Sequence, residues 1–178
     1  MMVEMPLRKL SILALLAFAA FSASALTVGI APAEGKAYAP SPEGLGSPIN
    51  GLVSGCMNVI FAAGYVVTEA SPERTAHSEW GSPDYGIAAA REGFVDYLIA
   101  LYVEWANSSF HKNALLAVSV DYRLVRVRDG KVLAEGRVPG PADSEDTSSH
   151  EMRTASQAGA SAADTCMKTL STLAMGGE

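Results

Sequence analysis

The sequence predicts an α/β protein: a mixed β-sheet of about five strands with three helices, in the order β-α-β-α-β-β-β-α, behind an export signal. Three observations predict it. Short β-branched runs alternate with stretches whose apolar residues recur at helical steps, the pattern of βαβ units. Residues 115–127 are a long extended run that ends at Asp129-Gly130, a two-residue hairpin signal, and a second extended run follows. Residues 150–174 then place apolar and small side chains at helical spacing.

The leader comes first. Arg8 and Lys9 precede an apolar run from Leu10 to Phe21, broken only by Ser11, and Ala23, Ser24 and Ala25 follow. That is the charged, apolar and small-residue order of a secretory signal. A spanning helix needs about 20 apolar residues, so the competing reading, an uncleaved membrane anchor, fits less well. Residues 1–25 are therefore expected to be a signal peptide and residues 26–178 one domain, periplasmic or secreted. No cysteine stands near the cut, so no lipid anchor is expected. Removal of Glu4, Arg8 and Lys9 changes the formal charge from −6 to −7. With no basic stripe, nucleic acid and anionic lipid headgroups are not expected partners.

Leu26 to Ile30 alternates as a strand does, and residues 31–47, rich in proline, glycine and serine, read as a long loop. Ser47-Pro48 opens a helix whose inner face is Ile49, Val53, Cys56, Ile60 and Ala63, and Gly64 stops it. Tyr65 to Thr68 reads as a second strand. Residues 71–83 form a polar loop holding His77, Glu79 and Trp80. A second helix is expected from Ser82-Pro83-Asp84 to about Val95, with Ile87, Ala90 and Phe94 facing inward. Gly86 and Gly93 weaken it.

Tyr97 to Trp105 is apolar at both parities, which places it near the sheet centre with both faces covered. After the polar turn of residues 107–112, Leu115 to Val127 is the long strand, with Leu116, Val118, Val120, Tyr122 and Leu124 on one side. Its apolar phase switches after Leu124, the mark of a bulge or strong twist. Val132 to Val138 returns antiparallel, residues 139–149 form an acidic loop, and the last helix aligns Met152, Ala155, Gly159, Ala162, Cys166, Leu170 and Leu173. The βαβ units should be parallel and the last three strands an antiparallel meander.

Cys56 and Cys166 both fall on helical core stripes in a chain expected in an oxidising compartment, so a disulfide between them is expected, with buried free thiols as the alternative. No catalytic site, cofactor or metal centre is expected. The histidines His77, His111 and His150 share no ligand spacing, and neither cysteine has a histidine or basic neighbour. Trp80, with Tyr85 and His77 beside it, is the candidate partner-binding group, since exposed aromatics in loops serve as interface anchors.

The order of elements, Gly93-Phe94-Val95-Asp96-Tyr97-Leu98-Ile99-Ala100 leading into the third strand, and the hairpin from Val118 to Gly136 carry a resemblance. Together they resemble the periplasmic α/β domain shared by the LpoB activator of penicillin-binding proteins, the CsgG curli secretion protein and the amino-terminal domain of TolB. The pattern covers nearly all of residues 26–178. The chain departs from it in lacking a lipid-bearing cysteine and in placing Arg128-Asp129 before the hairpin glycine, where the family commonly has threonine. The resemblance implies an adaptor or assembly role: binding of another cell-envelope protein through loops, without catalysis. A small-ligand or carbohydrate-binding protein with a cleft by Trp80 is the alternative. A homo-oligomer, as the subunit of a symmetric ring, is a further alternative to a monomer, and mass measurement in solution separates the two.

Overall fold

The computed structural model describes residues 26–34, 48–70, 80–109, 115–142 and 150–175. Five strands form one mixed sheet in the order β2-β1-β3-β4-β5. They are β1 (Thr27–Glu34), β2 (Val66–Glu69), β3 (Tyr97–Asn107), β4 (Leu115–Arg126) and β5 (Lys131–Pro139). The helices are α1 (Pro48–Ala62), α2 (Ile87–Glu92) and α3 (His150–Met175). β1 runs parallel to β2 and β3, while β3, β4 and β5 form an antiparallel meander, as the sequence predicts.

The centre of the sheet is β3, and its composition explains why. Ile99, Leu101 and Val103 point to one face and Leu98, Ala100 and Tyr102 to the other, all buried. The first face is covered by α1 and α3, which bring Leu52, Cys56, Ile60, Ala155, Ala162, Cys166 and Leu170 onto Val28, Ile30, Val120 and Leu124. The second face is covered by α2 and the turns on either side of it, through Tyr85, Ile87, Ala90 and Val95. The switch of apolar phase after Leu124 follows from this change of layer. Val120 and Leu124 belong to the first core, whereas Val125 and Val127 belong to the second. A register shift does occur between Leu124 and Val125, and its extra residue is Leu133 on β5.

Four details differ from the sequence reading. β1 continues to Glu34, beyond the expected end at Ile30. Pro32 is tolerated there because β2 pairs with β1 only as far as Ile30↔Glu69, so that side of Pro32 needs no ladder donor. α2 is six residues long, and the residue capping its start is Gly86, whose φ of 74° is left-handed. A Cβ there would also press on Ala31 at 2.9 Å, so glycine is required twice over. Phe94, expected inside, is 90% exposed with φ 53°, and Val95 takes the buried position. Val118 is the extra residue of a second bulge, between Glu104↔Ser119 and Trp105↔Ala117. It turns outward and Ala117 occupies the core.

The two long helices meet backbone to backbone. A Cβ added at Gly51 would lie 2.7 Å from the Met152 carbonyl oxygen, and at Gly55 and Gly159 it would collide with the carbonyls of Ser156 and Leu52. On the second face, the buried Tyr85 donates its hydroxyl to the Pro32 carbonyl at 2.8 Å. Tyr85→Phe should cost about 1 kcal/mol by leaving that carbonyl short of a donor, readable as a lower urea midpoint at unchanged slope.

Candidate functional site

The topology sorts the connections by length. β1, β2 and β5 end, and β3 gives way to β4, at one end of the sheet, which is therefore the loop end. The connections leaving Glu34, Ala70, Ser109 and Ala142 all depart from it. At the opposite, basal end the turns are tight. Gly64 (φ 87°) and Tyr65 lead directly into β2, and Gly130 (φ 68°) closes the β4–β5 hairpin, its N–H bonding to the Arg126 carbonyl at 2.9 Å. Leu26 and Met175 lie at this end as well.

Of the expected partner-binding groups, His77 lies outside the described residues. Trp80 and Tyr85 share the second sheet face. Trp80 is half-buried, its ring centroid 5.2 Å from that of Tyr102 at 38° between planes. The Arg123 guanidinium sits 5.2 Å from the Trp80 ring centroid and donates to the Ser82 carbonyl at 2.9 Å. Because α2 is so short, residues 80–86 complete the cover of this face, which draws Trp80 onto the sheet. Its buried indole N–H has no partner among the described residues. Toward the loop end the same face is a paired polar surface. Arg137 grips Asp121 with two hydrogen bonds of 2.5 and 2.8 Å and reaches Glu104 at 3.4 Å, while Ser119 donates to Glu104 at 3.0 Å.

The basal end holds a cavity of about 580 Å³. Leu26, Tyr65, Tyr97, Leu133, Leu170 and Leu173 form its apolar part, and Arg91, Arg126 and Arg128 its charged part, with Asp96 as the lining carboxylate. Asp96 accepts the Thr27 N–H at 2.7 Å and ties β1 to the α2–β3 turn. Arg126 is gripped by Asp129, through Nη2 at 2.8 Å and Nε at 3.2 Å. That hydrogen bond, aided by the Lys131 N–H, holds the Asp129 carboxyl below its usual range despite some desolvation. Arg91 donates from Nε to the Val127 carbonyl at 3.4 Å. The sequence reading missed this cluster because Arg91 stands 35 residues before Arg126 and the pair Arg126 and Arg128 reads as ordinary strand alternation. Two arginines spaced i, i+2 at a hairpin mouth were the available signal.

Cys56 and Cys166 are buried free thiols, so the expected bridge is not formed in this structure. Burial raises both thiols, with the proximity of Cys166 a second cause for Cys56; Cys166 is pushed up to about 12. Neither is a nucleophile. Between pH 9 and about 12 the unfolded chain releases thiol protons that the folded state keeps, so their contribution to stability is full below pH 9 and falls as pH rises. The expected slope is about 1.4 kcal/mol per pH unit per thiol. Urea midpoints at about pH 8 and about pH 10.5 should show it, and the double variant Cys56→Ala/Cys166→Ala should flatten it.

Among the described residues no group of three His, Cys, Asp or Glu side chains converges as a metal site, and no helix is long and apolar enough to cross a membrane.

No known family and no curated protein matches the sequence. Solved structures similar to this chain include TolB from Acinetobacter baumannii, at 16% identity and a TM-score of 0.47 over 84% of this chain; the aligned part is 29% of TolB. The PelC dodecamer structure from Paraburkholderia phytofirmans aligns at 20% identity and 0.45, over 78% of this chain and 86% of its own. The C-terminal domain of LpoB from Salmonella enterica aligns at 12% identity and 0.36, over 69% and 88%. TolB and LpoB, two of the proteins named in the sequence resemblance, are thus among its structural matches, and function is left to be argued from the site.

Proposed function

We propose that this protein is a non-catalytic adaptor or assembly component of the cell envelope that binds another envelope protein at the loop end of its sheet. The observation that carries this reading is the sorting of connections: every long one leaves from one end of a rigid five-stranded body, and the opposite end is closed by tight turns. Long loops on a rigid scaffold are where binding residues concentrate, and in open sheets the carboxyl ends of parallel strands are the usual place for a ligand. The paired surface of Glu104, Asp121 and Arg137 adjoins that end and supplies a polar rim.

The test uses residues 26–178 as bait for chemical crosslinking in envelope extract. A second bait replaces residues 35–47, 71–79 and 143–149 by glycine-serine linkers of equal length. Saturable capture of one protein by the first bait, lost by the second at unchanged circular dichroism, is the expected result. Equal capture by both baits, or none by the first, refutes the reading.

A further inference from the structure

We propose that the basal cavity binds an amphiphile with one anionic group and an apolar body. The anion sits against Arg91, Arg126 and Arg128 and the body against Leu133, Leu170 and Leu173. This is independent of the adaptor reading.

Size and composition come first. The cavity, at about 580 Å³, falls within the range of small-molecule sites, whose walls are mostly apolar with a few convergent polar groups. Charge comes second. Arg91, Arg126 and Arg128 converge on one wall with a single lining carboxylate, Asp96, in a chain whose formal net charge is −6. That carboxylate, Asp96, is already engaged by the Thr27 N–H, and the carboxylate of Asp129 holds Arg126. The bonds from Arg91 to Val127 and from Arg126 to Asp129 fix both side chains before any ligand arrives, which reduces the ordering cost of binding.

The last helix sets the orientation. α3 ends at this cavity, contributing Leu170, Leu173 and Ala174, and carries no basic residue in its last turn. The carbonyl end of a helix is partially negative. An anion is therefore repelled from the helical wall and drawn to the arginine wall, and the apolar part of the ligand is left to cover the leucines.

The surroundings fit the same chemistry. Leu26, Phe61, Val66, Phe94, Leu173 and Met175 are all exposed and all belong to the basal end. Phe94, next in sequence to the wall residue Val95, keeps its exposed ring despite a left-handed backbone that a phenylalanine adopts only at a cost.

The test is calorimetric titration of residues 26–178 with dodecyl phosphate below its micelle concentration. Inorganic phosphate, dodecyl maltoside and dodecyltrimethylammonium are the comparison probes. One saturable site for dodecyl phosphate is expected, with each comparison probe at least about tenfold weaker. Arg91→Gln/Arg128→Gln should weaken it by about tenfold or more at unchanged circular dichroism, and nuclear Overhauser contacts should join the ligand chain to the Leu170 and Leu173 methyls. Absence of saturation, equal binding of the cationic detergent, or no effect of the arginine substitutions overturns the proposal. Flotation with phosphatidylglycerol vesicles distinguishes the sources: co-flotation that depends on Arg91 and Arg128 assigns the site to membrane lipid, and its absence beside saturable dodecyl phosphate assigns it to a free amphiphile. A bait that captures no protein leaves this titration unaffected, so the two readings fail separately.

Discussion

Gly55→Ala and Gly159→Ala should each destabilise the protein by about 3 kcal/mol or more, since each forces a methyl group into a backbone carbonyl that cannot yield without parting two helices. The expected loss in Tm is roughly 6 to 12 °C for a domain of this size. Alanine is ordinarily the better helix former by about 1 kcal/mol, so the sign of the effect is itself informative. Propensity favours the substitution and packing opposes it, and packing wins because the obstacle is main chain on both sides. Gly81→Ala is the control: a Cβ there meets nothing within 4 Å, and it should melt with the wild type. If Gly55→Ala and Gly159→Ala also melt with the wild type, the helices do not touch as described.

Ile99→Ala should cost about 3 to 4 kcal/mol. The side chain is fully buried on the central strand, flanked in the sheet by Ile30 and Leu124 and covered by the long helices. With β-sheet neighbours on both sides and helices above, the site has little freedom to collapse onto the void, which places it toward the upper half of the usual range. Phe94→Gly gives the contrast. It removes a larger side chain, yet it should stabilise by on the order of 1 kcal/mol, because the ring is exposed and glycine relieves the left-handed backbone. A chemical denaturation series of the two variants reads both signs, and equal losses would contradict the burial described.

The strands were legible where one period held without interruption. β3 shows apolar residues at both parities because it is buried on both faces, and Asp129-Gly130 marks the place of the β4–β5 hairpin, although its turn takes four residues, 127–130, and not two. α2 was overextended because Ile87, Ala90 and Phe94 satisfy helical spacing, and nothing local reveals that the chain turns out at Gly93. The bulge at Val118 is equally silent in sequence: a valine looks the same inward or outward, and only the pairing of Ala117 with Trp105 expels it. Trp80 reads as a loop residue, and its place on Tyr102 depends on how little of the sheet a six-residue helix can cover. The basal arginines come from two elements distant in sequence, so their convergence belongs to topology.

The shape of β5 bears on self-association. An outermost strand offers unpaired amides to any copy of itself, and proteins guard against such zippering with charges, prolines and kinks. Here Lys131, Glu135 and Arg137 place charges along that margin, Pro139 ends it, and the irregularity at Leu133 bends it near its start. β2, the other margin, has only four residues. Among the described residues neither margin is a long, flat, uncharged ribbon, which disfavours the joining of copies sheet to sheet.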